Sequence, residues 1–406
     1  MKFSWFALYC GLLLSISAFS IDILLPLLSG ISIGLNAGIE QTQLIIPIYM
    51  LALGLGNPVY GALSDRFGRR FGIFLGLGLY MIGTLLCFVA ASIEMLFFGR
   101  FIQGLGASAA PVISRAMIRD RYQGVELAQT MAVVSMFFAL GPMLAPLIGY
   151  LIYDLIGWRA VFFVLMLLAL VMMLATYKQP ETLPLSKRQA QSLGSFWQDI
   201  VRVFKQPQSL YFIGISCFCS CLILTFLSYA PIVYTTFGTS PGKFAVLFAL
   251  SAIAIVFGQT VNHHLISRFG SVVAATCGSV VIAVSASIIW FSAFTGTLNE
   301  ILFTVLMFAF GACFQIVFSN IVSLTLDPHP LRAGTASAML GFVSSVTGAL
   351  MAGAITMMAG ENIVVWSACF LVIAIVILLA LIRYLATHPA IESTAITSDR
   401  TNWSNY

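Results

Sequence analysis

From Val161 to Ala175 the sequence reads VFFVLMLLALVMMLA, fifteen residues without a polar side chain. Strands that face lipid are shorter and alternate apolar with polar residues, and this run does not alternate. A helix rises about 1.5 Å per residue, so about 20 such residues cross a hydrocarbon core. The pattern recurs along most of the chain. It predicts spans near 5–28, 44–63, 71–91, 95–117, 129–153, 158–177, 209–234, 243–266, 271–294, 299–323, 333–358 and 362–386. The expectation is an all-α membrane protein with twelve transmembrane helices.

Composition leads to the same solvent. Of 406 residues, 60% are hydrophobic and only 8% charged, against about a quarter charged in soluble domains. So few charges cannot clothe a chain of this size in water. The first run follows Lys2 as a signal peptide would, but it continues to Leu28 without a small-residue cleavage site, and is read as a retained helix. All eight cysteines fall in expected spans, which argues against a disulfide framework. Cys217, Cys219 and Cys221 are spaced by two on an expected helix, a poor arrangement for a metal, and no histidine cluster accompanies them. No phosphate-binding loop or nucleophile elbow appears. The expectation is a non-enzyme without metal or cofactor.

Basic residues orient the spans. With the N-terminus in the cytoplasm, sixteen of the 19 Lys and Arg residues fall on the inner side. Arg159 and Lys243 fall outside, and Arg100 within a helix. Both termini are expected in the cytoplasm. The net charge of +5 then reflects topology, and nucleic acid is not an expected partner. The longest polar stretch, residues 178–208, is expected as a cytoplasmic linker between an N-terminal six-helix half (1–177) and a C-terminal half (209–386), with a tail at 387–406. Within it, FWQDIVRVF could form a short interfacial helix. LSDRFGRR at 63–70 and LISRFGSV at 265–272 form a faint repeat, each after the second span of its half. Parallel six-helix halves are one known transporter architecture.

The stretch GALSDRFGRR, residues 61–70, resembles the loop signature of the major facilitator superfamily through Gly61, Leu63, Ser64, Asp65, Arg66, Gly68, Arg69 and Arg70. Its charges suit a gate: Asp65 at a helix end to pair with basic groups, Gly68 for a tight turn, Arg69 and Arg70 for charge-assisted hydrogen bonds. A plain topological anchor would explain the arginines but not Asp65 and the glycines. GRFIQGLGASAAP, 99–111, looks like the fourth-helix signature of proton-coupled exporters, whose arginine (here Arg100) is associated with proton coupling, with Gln103 one turn deeper. The other reading of Arg100 is a side chain snorkelling to the outer interface. ALGPMLAPLIGYLI, 139–152, resembles the fifth-helix motif of the antiporter branch, with Gly141, Pro142, Pro146 and Gly149 in place and Ala145 where that pattern favours glycine. SAFSIDILLPLLSGI, 17–31, and AGTASAMLGFVSSVTGAL, 333–350, resemble Bcr/CflA-type drug-resistance exporters.

Asp22 is the one acidic residue expected inside a span, and an intramembrane carboxylate is a candidate for proton coupling or substrate binding. Pro26 and Ser29 allow the alternative that the helix ends soon after and leaves Asp22 at a wet interface. Tyr49, Asn57, Gln259, Asn262, Gln315 and Asn320 could line a cavity, though helix–helix hydrogen bonds explain each as well. The resemblance implies a monomeric proton antiporter of a bacterial inner membrane. It would export small, largely apolar drug-like compounds by alternating access, with the proton gradient as energy source. A transporter of one metabolite, such as a siderophore or nutrient, is the alternative; a membrane sensor without transport is more remote.

Overall fold

A computed structural model describes residues 5–185, 188, 200–329 and 333–388. Among these the regular structure is helical, with no strand. In chain order the helices are α1 (Trp5–Asp22), α2 (Leu28–Leu35), α3 (Ile39–Gln43), α4 (Ile45–Phe67), α5 (Arg69–Phe88), α6 (Ile93–Ala107), α7 (Ala109–Arg121), α8 (Gly124–Ile156), α9 (Trp158–Lys178), α10 (Pro207–Thr236), α11 (Pro241–Phe294), α12 (Glu300–Leu326), α13 (Ala333–Ala359) and α14 (Ile363–Thr387). Residues 186, 187 and 189–199 of the expected linker lie outside the described residues, as does the tail beyond 388; residues 200–204, the end of FWQDIVRVF, are helical.

Ten described runs are long and apolar enough to cross a membrane. Twelve crossings result when α11 is divided at its break and α8, whose residues Gly141–Ile156 form a shorter apolar helix, is counted. The α11 break falls at Gly270, with φ +82° and ψ 169°. Gly68, between α4 and α5, has φ +105° and ψ 156°. A side chain rarely adopts this conformation, so each repeat of the RFG sequence makes the same turn because each ends in glycine. The lipid-facing surface is apolar too: on α9, Phe163, Leu167 and Leu174 are exposed while Phe162, Leu165 and Ala169 are buried. A helix apolar on every side belongs in a bilayer. The chain is an integral membrane protein.

The first span differs from expectation in a way that matters for function. α1 stops at Asp22, a 3₁₀ turn carries Leu25–Leu27 around Pro26, and α2 resumes to Leu35. Together Trp5–Leu35 form one candidate span. Proline breaks the hydrogen-bond ladder without ending the crossing. Against this break lies α8: a Cβ at Gly149 would collide with the Ile23 carbonyl.

The N-terminal and C-terminal helices meet tightly toward one face. There Tyr150 of α8 covers Gly242 of α11, and farther in Gly54 of α4 packs on Ser345 and Val346 of α13. Toward the opposite face, which carries the Gly68 turn, they part around a cavity.

Candidate functional site

α5 and α6 cross without side chains at their closest approach. A Cβ at Gly83 would strike the Gln103 backbone, and one at Gly106 the Tyr80 backbone. This contact seats Arg100 and Gln103 in the interior with no exposure. Arg100 Nη1 donates to Gln103 Oε1 at 2.5 Å and to the Ser20 carbonyl at 3.2 Å. Gln103 Nε2 donates to Thr84 Oγ1 at 2.8 Å, and the Ser20 and Tyr80 hydroxyls pair at 2.6 Å. The guanidinium stands 4.1 Å from the centroid of the Tyr49 ring, whose hydroxyl donates to the Ser17 carbonyl at 3.1 Å. Arg100 Nε and Nη2 have no hydrogen-bond partner among the described residues. The arginine does not snorkel.

Asp22 is buried at the end of α1, 6% exposed. Asp22 is not exposed as the wet-interface alternative expects, and the chain continues past Pro26 as α2. Among the described residues no hydrogen bond or ion pair reaches its carboxyl. Arg100 binds the carbonyl of Ser20, two residues earlier, and does not pair with Asp22. The structure thus brings both residues to the α1 break without joining them.

The cavity has a volume of about 460 Å³ and opens between four helical faces. Ser17, Ala18 and Ile21 line it from α1; Met50, Leu53 and Asn57 from α4; Pro111, Val112, Arg115 and Arg119 from α7; Gly334, Ser337, Ala338 and Gly341 from α13. Met131 and Leu326 complete it. The spacings of three and four are those of single helix faces. Arg100 and Asp22 are not among the lining residues. Of the expected cavity residues only Asn57 lines it, and its Oδ1 has no partner among the described residues. Tyr49 turns its ring to Arg100 instead. Gln259 is exposed on α11 and Gln315 half-buried on α12, neither at the cavity. Asn262 and Asn320 join helices, Asn320 Nδ2 donating to Asn262 Oδ1 at 2.7 Å. Arg115 and Arg119 read in sequence only as inner-side charges; their spacing of four, one face of a helix, was the available signal.

At the Gly68 turn, Arg69 donates from Nε to Asp120 Oδ2 at 2.8 Å, from Nη1 to Ser64 Oγ at 3.0 Å, and from Nη1 to Asp65. Glu181 accepts from the backbone N–H groups of Arg69 and Arg70 at 3.0 and 3.2 Å, capping α5 with a carboxylate where the helix dipole favours one. Arg188 stands 3.7 Å from Glu181, and Arg70 Nη2 donates to the Tyr177 carbonyl at 3.0 Å. Arg66 stacks on its neighbour Phe67, and Gly61 sits near Val112. Each of these contacts joins parts of residues 61–188. In the fifth-helix motif Pro142 and Pro146 lie inside α8, Gly141 near Ala18, and Gly149 at the α1 break.

A sequence model of the Major Facilitator Superfamily matches residues 10–352. A bicyclomycin resistance protein homologue of Haemophilus influenzae is 26% identical over 87% of this chain and 89% of its own. Multidrug resistance protein D of Escherichia coli is 27% identical, covering 84% of this chain and 86% of its own. The crystal structure of a D-xylose–proton symporter matches with a TM-score of 0.75 and 16% identity, over 92% of this chain and 97% of the other; it bears on the fold alone. A family model spanning most of the sequence, with a helical fold in agreement, leads to one assignment: the chain belongs to the Major Facilitator Superfamily, a family of transporters rather than enzymes.

Proposed function

We propose that the protein is a secondary transporter that exports small, largely apolar compounds in exchange for protons, by alternating access between two six-helix halves. The observation that carries the reading is the cavity of about 460 Å³, lined from Ile21, beside the α1 break, to Arg119, the neighbour of the Asp120 that binds Arg69. Relatives named for resistance to bicyclomycin and to multiple drugs support export of such compounds. The excess of basic residues on that face supports placing it, and both termini, in the cytoplasm of a bacterium. The state described is then inward-open.

Asp22 is the proposed proton carrier. An unpaired carboxylate in a dry interior is costly, and a neutral carboxyl much less so. The inward-open state accepts Asp22 with its proton, and loss of the proton drives it toward a state in which the carboxylate is hydrated. Because Asp22 lies behind the cavity wall, it acts on substrate through the α1 break, where Ile21 and Ser17 face the cavity. Arg100, positioned by Gln103, and Tyr49 bind the Ser20 and Ser17 carbonyls in the last turns of α1 before that break. The Asp65–Arg69–Asp120 cluster is the proposed cytoplasmic gate, here in its open form, with its contacts kept within residues 61–188 and none to the C-terminal half among the described residues.

The test is a growth screen of expressing cells against varied toxic compounds, with Asp22→Asn beside the wild type at equal expression. Resistance to at least one compound that disappears in Asp22→Asn is expected. Resistance equal in both would remove Asp22 from the mechanism, and an empty screen would remove broad export.

A further inference from the structure

Among the described residues, those that line the cavity include two guanidinium groups and no carboxylate. Arg115 and Arg119 lie one turn apart on the face of α7 that also presents Val112. Both are exposed to the cavity, and neither has a hydrogen bond or ion pair among the described residues. Asp120, next in sequence, is committed elsewhere, accepting from Arg69 and from Thr182 Oγ1. Two like charges four residues apart on a helix repel each other. Within protein walls their field is screened less than in bulk water.

The rest of the lining has a different character. Ile21, Met50, Leu53, Val112, Met131 and Leu326 supply apolar wall. Asn57, with an unpartnered Oδ1, offers an amide that can accept or donate. The volume of about 460 Å³ falls in the range of small-molecule sites. An apolar wall with two free forks of N–H donors at one end fits a molecule with a compact apolar body and one anionic group. A guanidinium binds a carboxylate, sulfonate or phosphate ester through paired, charge-assisted hydrogen bonds. A lipophilic cation would meet two positive charges and no counter-charge.

We infer that the substrates of this cavity are amphiphilic anions, held by Arg115 and Arg119 at the anionic end and by the α1–α4 wall at the apolar end. The inference rests on the export reading for its physiological meaning, but binding is measured without transport. The probes share one frame: naphthalene-2-sulfonate, 2-naphthalenemethanol and trimethyl(2-naphthylmethyl)ammonium. Each is titrated calorimetrically into the purified full-length protein at physiological salt.

The sulfonate is expected to bind about tenfold more tightly than the alcohol, and the ammonium more weakly than either. Arg115→Gln and Arg119→Gln should each weaken the sulfonate about tenfold and leave the alcohol within about twofold; Arg115→Lys should recover part of the loss. Arg383→Gln, an exposed arginine of α14 away from the cavity, controls for net charge and should change nothing. Undetectable sulfonate binding, equal binding of the three probes, tighter binding of the ammonium, or an equal loss in Arg383→Gln would overturn the inference. A wild type that prefers the ammonium yet drives it out against a gradient would leave export standing and remove the anion. A sulfonate preference without gradient-driven movement would do the reverse.

Discussion

Arg100 sits in the interior with one terminal nitrogen engaged and two nitrogens free. Nη1 reaches both the Ser20 carbonyl and Gln103, and the planar group lies over Tyr49, a combination an ammonium cannot reproduce. Arg100→Lys should therefore lose at least about tenfold in the initial rate of gradient-driven transport, and Arg100→Ala more, with little change in membrane insertion. Near-normal rates in the alanine variant would show that the network is only structural. Arg100 was legible in sequence because a guanidinium within an apolar run has no cheap explanation. Arg115 and Arg119 were not, because basic residues near a span end already have a topological explanation. Asp22 was legible as an acidic residue within an apolar run; the jog after it was not, because Pro26 reads equally as the end of a helix, and the chain instead turns and continues.

At the scale of elements, the Gly68 turn was readable from its own ten residues, and the backbone there repeats at Gly270. Its partners were not: Asp120 lies 51 residues from Arg69, and Glu181 lies 112 residues from it. Contacts between distant segments leave no local periodicity to read. Asp65→Asn or Arg69→Ala removes the charge-assisted bonds that tie α4, α5 and α7 together. Each should insert with unchanged topology but slow transport severalfold, and cysteine-accessibility labelling should show an altered population of inward- and outward-open states. Glu181→Gln removes the anionic cap of α5, worth about 0.3–1 kcal/mol, and should give the same effect more weakly. Failed insertion or inverted topology in the first two would favour a topological anchor over a gate.

For the whole molecule, the spans followed from apolar length, and ten of the described helical runs meet that criterion directly. The cavity did not follow from sequence, because it exists only where faces of α1, α4, α7 and α13, more than 300 residues apart along the chain, converge. Tight contact on one side of that cavity and separation on the other is the geometry of a carrier caught open to one face, and a proton held at the α1 break is the proposed source of its directionality. The most direct measurement is uptake into everted membrane vesicles, with an acid-inside gradient, of a compound to which the protein confers resistance. Wild-type vesicles should accumulate it well above the outside concentration and lose it when the gradient is collapsed, while Asp22→Asn vesicles should reach equal concentrations inside and out. Gradient-dependent accumulation by Asp22→Asn equal to that of the wild type would contradict the account.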